Sequence, residues 1–131
     1  MKKQGVLNRE IASALARLGH TDTIVLADCG LPIPDHMKCI DVSLSLGTPG
    51  VIQVLETIKE DMEIESVTVA VEMESDNKEI LTELHNHFTK EKFSSLPHEE
   101  FKKAANEAKV IIRTGEATPY SNIILHSGVI F

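Results

Sequence analysis

Basic residues are scarce in this chain: 13 lysines and arginines stand against 20 aspartates and glutamates, a formal net charge of −7. With no basic stripe to neutralise phosphates, nucleic acid and anionic membrane surfaces are excluded as partners by simple repulsion. Long apolar runs are also missing. None approaches the ~20 residues of a membrane span, and "MKKQGVLNRE" has two lysines but no apolar stretch behind them, so the chain reads as soluble, unexported and cytoplasmic. Cysteine occurs twice, as Cys29 and Cys39, too far apart for a CxxC redox motif or a zinc knuckle; two buried, reduced thiols are expected. No GxGxxG or Walker-type loop is present, and "LGTPG" lacks the lysine and spacing of a phosphate cradle, so no nucleotide cofactor is expected. No metal is expected either, since His85 and His87 at i,i+2 on a helix point apart.

What is present suits one domain over residues 1–131: 42% hydrophobic content in a chain of this length buries about two thirds of its unfolded surface. Asn8 is a good N-cap for a helix carrying Ile11, Ala14, Leu15 and Leu18 on one face, with Gly19 as a left-handed stop. "TIVLA" (23–27) reads as a buried strand ending at Asp28, and "LPIPD" forbids regular structure after it. "KCIDVS" reads as a short strand, followed by a helix capped by Thr48 with Pro49 at its first position and Ile52, Leu55 and Ile58 facing inward. "IESVTVAVE" is a strand, "SDNKEILTELHNHF" a helix, "SSLPHEEFKKAANEA" a helix beginning near Pro97, and "KVIIRT" a strand. "GEATPYSN" is a loop, and "IILHSGVIF" reads as a final strand whose apolar end calls for cover by the sheet or a neighbouring subunit. Alternating strands and helices predict an α/β fold, a three-layer α/β/α sandwich around a largely parallel or mixed sheet.

In such sheets, ligands bind outside the carboxyl ends of strands. Asp28 behind "TIVLA" and the "TGEATPYSN" loop behind "KVIIR" both qualify, and His98 with Lys102 at i,i+4 adds a third wall. No Ser or Cys sits in a nucleophile motif, which leaves proton transfer by histidine as the chemistry the inventory allows. Each residue also has a plain structural use. His20 after a helix caps carbonyls, Asp28 forms an Asx turn, Tyr120 and Asn122 serve a turn, and His98 is a first-turn residue.

The segments "LGHTD", "ADCGLPIP", "GTPGVIQVLE", "LPHEEFK" and "RTGEATPYSNIIL", in this order across nearly the whole chain, resemble the D-ribose pyranase family, relatives of the L-fucose mutarotases. The resemblance implies His20 as the catalytic acid–base residue and Asp28, His98, Tyr120, Ser121 and Asn122 as sugar-binding residues. Lys102 is a weaker candidate. Cys29 departs from the pattern, where a small residue such as alanine is expected. The resemblance further implies interconversion of pyranose and furanose D-ribose, no cofactor, and homo-oligomers, decamers of stacked rings with sites between subunits. Mutarotation of another sugar, such as L-fucose, and a non-catalytic sugar-binding module are the alternatives.

Overall fold

Side chains along Thr23–Ala27 (β1) alternate between two apolar clusters: Ile24 and Leu26 enter one, Val25 and Ala27 the other. Extended backbone imposes this period of two. In Val110–Arg113 (β5), Val110 and Ile112 face one side and Ile111 the other; in Ile123–Ser127 (β6), Ile123 and Leu125 oppose Ile124. Strands apolar on both faces need helices on both. In the computed structural model, which describes all residues from Met1 to Phe131, helices α1 (Arg9–Ala16), α2 (Val51–Lys59) and α4 (Lys78–His87) supply Ile11, Leu55, Ile58 and Leu84 to the larger cluster. Helix α5 (His98–Ala105) covers the opposite face with Phe101 and Ala105. The expected three layers are present but unequally loaded. No helix is long and apolar enough to cross a membrane.

Together with Cys39–Asp41 (β2), Ile64–Ala70 (β3) and Phe93–Leu96 (β4), these strands form one sheet in the order β2-β5-β1-β6-β3-β4. The pairs β2·β5, β5·β1 and β3·β4 are parallel, whereas β6 runs antiparallel to both β1 and β3. The sheet is mixed, and its one antiparallel strand lies inside it rather than at an edge. Residues 114–122 contain no helix; a parallel crossover needs about a dozen residues or more, so the chain turns back beside β1.

Local details depart from the sequence pattern in several places. Gly19 is not the left-handed residue; the Asp22 carboxylate accepts the Gly19 N–H (2.8 Å), and the positive φ falls on Thr21 (72°). Thr48 does not cap α2, which begins at Val51 after a cis Thr48–Pro49 bond; its Val51 N–H is met instead by Glu116 Oε2 (3.2 Å). β4 and the single turn α3 (Met73–Asp76) were not expected, because Ser94 and Ser95 hide the apolar alternation of an edge strand. β6 stops at Ser127, leaving Ile130 and Phe131 exposed. The thiols are not both buried: Cys29 is half-buried and Cys39 is exposed, since β2 is an edge strand that buries only Ile40.

Candidate active site

Because β6 is antiparallel to β1, the register that sets Ile123 opposite Leu26 brings the residue before β6 beside the residue after β1. Those residues are Asn122 and Asp28. Asn122 Oδ1 accepts the Asp28 backbone N–H (2.8 Å), and Asn122 Nδ2 donates to Asp28 Oδ2 (2.9 Å). Asp28 Oδ1 accepts the Gly30 N–H (3.0 Å), so the Asx turn is real but occupies only one carboxylate oxygen. Asn122 is 1% exposed, and its amide fixes the carboxylate as part of the fold.

The loop between β5 and β6 then covers this corner. Thr114 Oγ1 donates to Ala27 O (2.8 Å), and Glu116 Oε1 accepts from the Ala117 N–H, the Thr118 N–H and Thr118 Oγ1. Tyr120 has φ of 55°, a left-handed conformation that is unusual for a bulky side chain and marks a site worth inspecting. Its ring meets the His98 imidazole edge to face, with centroids 5.1 Å apart. His98 opens α5, and its backbone N–H is held by both carboxylate oxygens of Glu72 (3.1 and 3.0 Å). The Nδ1 atom of His98 is buried and unpartnered, so any hydrogen bond from the ring to a ligand falls to Nε2.

Asp28, His98, Tyr120 and Asn122 thus line one open cleft of about 290 Å³, together with Gly30, Leu31, Pro32 and Pro119. A carboxylate, an imidazole, a phenol and an amide converge on a small volume with no clustered arginines, an arrangement suited to a neutral, hydroxyl-rich ligand. Three candidates, Ser121, Lys102 and His20, lie elsewhere. Ser121 is fully buried, with its hydroxyl donating to Thr118 O (3.0 Å) beneath the loop rather than lining the cleft. Lys102 pairs with Glu99 (2.8 Å) and does not reach the cleft lining.

His20 is not in this cleft. It precedes β1, whereas Asp28 follows it, and five residues of extended strand separate their ends by about 17 Å. His20 Nε2 lies 3.3 Å from Glu65 Oε2, with the imidazole half exposed. It lines a different recess, with Leu15, Leu18, Ser127, Val129 and Phe131.

Several supporting residues carry no signal in the sequence pattern. Arg113 donates from one guanidinium nitrogen to Asp41 Oδ2 (2.9 Å) and Ser43 Oγ (2.7 Å), and from the other to Cys29 O (3.1 Å). Hydrogen bonding from Ser43, with help from Arg113, holds the Asp41 carboxyl below its ordinary value. This links the residue after Asp28 to β2. Glu72, Asn77 and Glu116 act at helix starts far away in sequence, so only the folded chain reveals them.

Known proteins share this fold along the whole chain. The family model described as the RbsD / FucU transport protein family matches residues 1–130. The chain is 60% identical to D-ribose pyranase of Bacillus cytotoxicus and 54% identical to D-ribose pyranase of Bacillus cereus, each over 131 residues and 100% of both chains. Among solved structures, Bacillus subtilis RbsD complexed with D-ribose matches with a TM-score of 0.96 at 47% identity, covering 100% of both chains. The fucose mutarotase from Streptococcus pneumoniae, in complex with L-fucose, matches with a TM-score of 0.81 at 26% identity over 95% of each. The chain belongs to the RbsD / FucU transport protein family.

Proposed function

We propose that this chain is a D-ribose pyranase, an isomerase that interconverts the pyranose and furanose forms of the sugar. The observation that carries the reading is the cleft in which Asp28, His98, Tyr120 and Asn122 converge, in a chain that matches D-ribose pyranases along their whole length. The 47% identity to RbsD complexed with D-ribose, against 26% to the fucose mutarotase, favours ribose over fucose.

Opening a cyclic hemiacetal removes a proton from the anomeric hydroxyl and delivers one to the ring oxygen; the C1–O bond breaks and an aldehyde forms. Reclosure by a different hydroxyl reverses both transfers. His20 is the proposed acid–base group. Asp28 takes a sugar hydroxyl through Oδ2 and orients it, while Tyr120, Asn122 and His98 fix the others. Redox chemistry and a covalent intermediate play no part in this scheme, and positioned proton transfer supplies about 10²–10⁴-fold.

The separation of His20 from the cleft leads to the rest of the proposal. One chain cannot bring them together without breaking β1, so a second copy supplies His20 to each cleft, and the assembly is a homo-oligomer, a decamer of stacked rings. The exposed Ile130 and Phe131 beside His20 suit burial in such an interface. The proposed setting is the cytoplasm, in ribose catabolism, and rests on the resemblance alone.

Saturation-transfer NMR on equilibrated D-ribose tests the reading. The protein should accelerate exchange between pyranose and furanose resonances, and His20→Ala should bind ribose without accelerating it. A folded His20→Ala variant exchanging at the parent rate removes His20 from the mechanism. A parent chain that shifts or broadens ribose signals without exchange is a binding module.

A further inference from the structure

Asn77 precedes α4 and is 7% exposed. Its Oδ1 accepts the Ile80 N–H (3.3 Å), the ordinary duty of an N-cap. A cap needs nothing further, and Asp or Ser would serve as well. The amide nitrogen is nevertheless fully engaged: Nδ2 donates to Thr118 Oγ1 (2.9 Å), Pro119 O (2.9 Å) and Ser121 Oγ (2.8 Å). Two N–H bonds serve three acceptors, so one is shared.

Those three residues surround Tyr120 in the sequence. Tyr120 is the loop residue held in the left-handed region, a conformation that persists only where its surroundings over-determine it. Fixing Thr118 and Pro119 before it and Ser121 after it leaves the chain little choice of path. The ring is then presented to His98 at 5.1 Å, and Asn122 follows in place to hold Asp28.

We infer that Asn77 is the positioning residue of the Pro119–Asn122 substrate loop, holding Tyr120 against His98 and so setting the affinity of the cleft rather than its proton transfers. The inference rests on the ribose site proposed above. Proton transfer by His20 is insensitive to it, because Asn77 touches only the binding half.

The two duties of Asn77 separate by substitution. Asn77→Asp keeps the acceptor for Ile80 and loses the amide donors, placing a carboxylate oxygen against the Pro119 carbonyl. Ser121→Ala leaves the cap untouched and removes one of the three acceptors. Tyr120 is the only tyrosine and tryptophan is absent, so a chain labelled with ring-¹³C tyrosine reports on this loop alone.

In Asn77→Asp the Tyr120 ring signals should move toward those of free tyrosine as the His98 ring shift is lost, with α4 retained by far-ultraviolet circular dichroism. KM for ribose should rise about tenfold with kcat within twofold, since interactions used equally by bound substrate and transition state affect KM alone. Ser121→Ala should shift both readouts in the same direction, with KM two- to threefold higher. Tyrosine signals and KM unchanged in both variants would make Asn77 a helix cap only and overturn the inference, as would a kcat loss larger than the KM change. The tyrosine signals read the clamp even in a protein that does not exchange ribose, so failure of the clamp and failure of the ribose reading are distinguishable.

Discussion

At the carboxyl end of β1, Asp28 is held by three hydrogen bonds: Asn122 Nδ2 and the Gly30 N–H donate to its carboxylate, and its own N–H donates to Asn122 Oδ1, under a loop fastened by Thr114, Glu116 and Asn77. At the amino end, His20 is half exposed and makes one polar contact, 3.3 Å to an equally exposed Glu65. Both ends contain a strained non-glycine residue, Tyr120 at one and Thr21 at the other, so strain alone does not distinguish them. What differs is the number of buried polar partners. Groups that recognise a flexible, hydroxyl-rich ligand gain from being fixed before it arrives, whereas a group that donates and accepts protons in turn must be free to face either oxygen. In the proposed assembly the two ends are half-sites, each incomplete alone.

Mixing two inactive variants breaks or sharpens this contrast most strongly. His20→Ala spoils one end and Asp28→Ala the other; unfolded together and reassembled, they should regain about a quarter of parental exchange activity, since random mixing leaves one site in four with both halves intact. Activity no higher than that of either variant alone would place both halves in one chain. Next in size is Asn122→Ala, which strands the Asp28 N–H and carboxylate. Denaturant unfolding should show a loss of about 1–3 kcal/mol, with KM raised at least tenfold. Glu65→Gln should do far less at the other end. An exposed pair contributes under about 1 kcal/mol and fades with salt, so exchange should stay within about threefold of the parent, less still at high salt.

The smallest effect concerns His126, also at the amino end through its register opposite Thr23. Burial pushes the His126 imidazole below its ordinary value, with Glu65 pulling the other way, and its Nε2 lies 2.8 Å from Thr68 Oγ1. The unfolded chain therefore takes up this proton first, and stability falls as pH drops below about 6.5. His126→Asn should flatten the decline in thermal midpoint between pH 7 and 5; an unchanged slope would assign the acid limb to other groups.

The sheet and most of its helices were legible because β1, β3 and β5 are apolar runs between clear turn signals, and α1 and α5 carry their apolar residues at helical spacing. The cleft residues were legible for a different reason: Asp28 and the Tyr120 loop both follow strands, and parallel strands β1 and β5 place their ends side by side. Hidden features depended on partners distant in sequence. β4 exists because β3 offers it an edge, Glu116 caps α2 across 65 positions, and Arg113 reaches back to Cys29 and Asp41. Ser121 shares a motif with Tyr120 and Asn122 but points under the loop, since consecutive residues in a turn face different ways. His20 and Asp28 are close in sequence, yet the strand between them is what keeps them apart.

The interior position of β6 bears on how the chain is made. Of the six strands of this sheet, the last in chain order is the one that joins β1 to β3, so until it arrives the β2-β5-β1 and β3-β4 units are separate ribbons, each with an open, hydrogen-bonding border. Such long-range pairing raises contact order and slows folding, and a nascent or prematurely ended chain presents two sticky borders instead of a finished sheet. Asn122 sits immediately before that strand, so the corner around Asp28 is assembled in the same step that closes the sheet, and an incompletely folded chain lacks the cleft altogether.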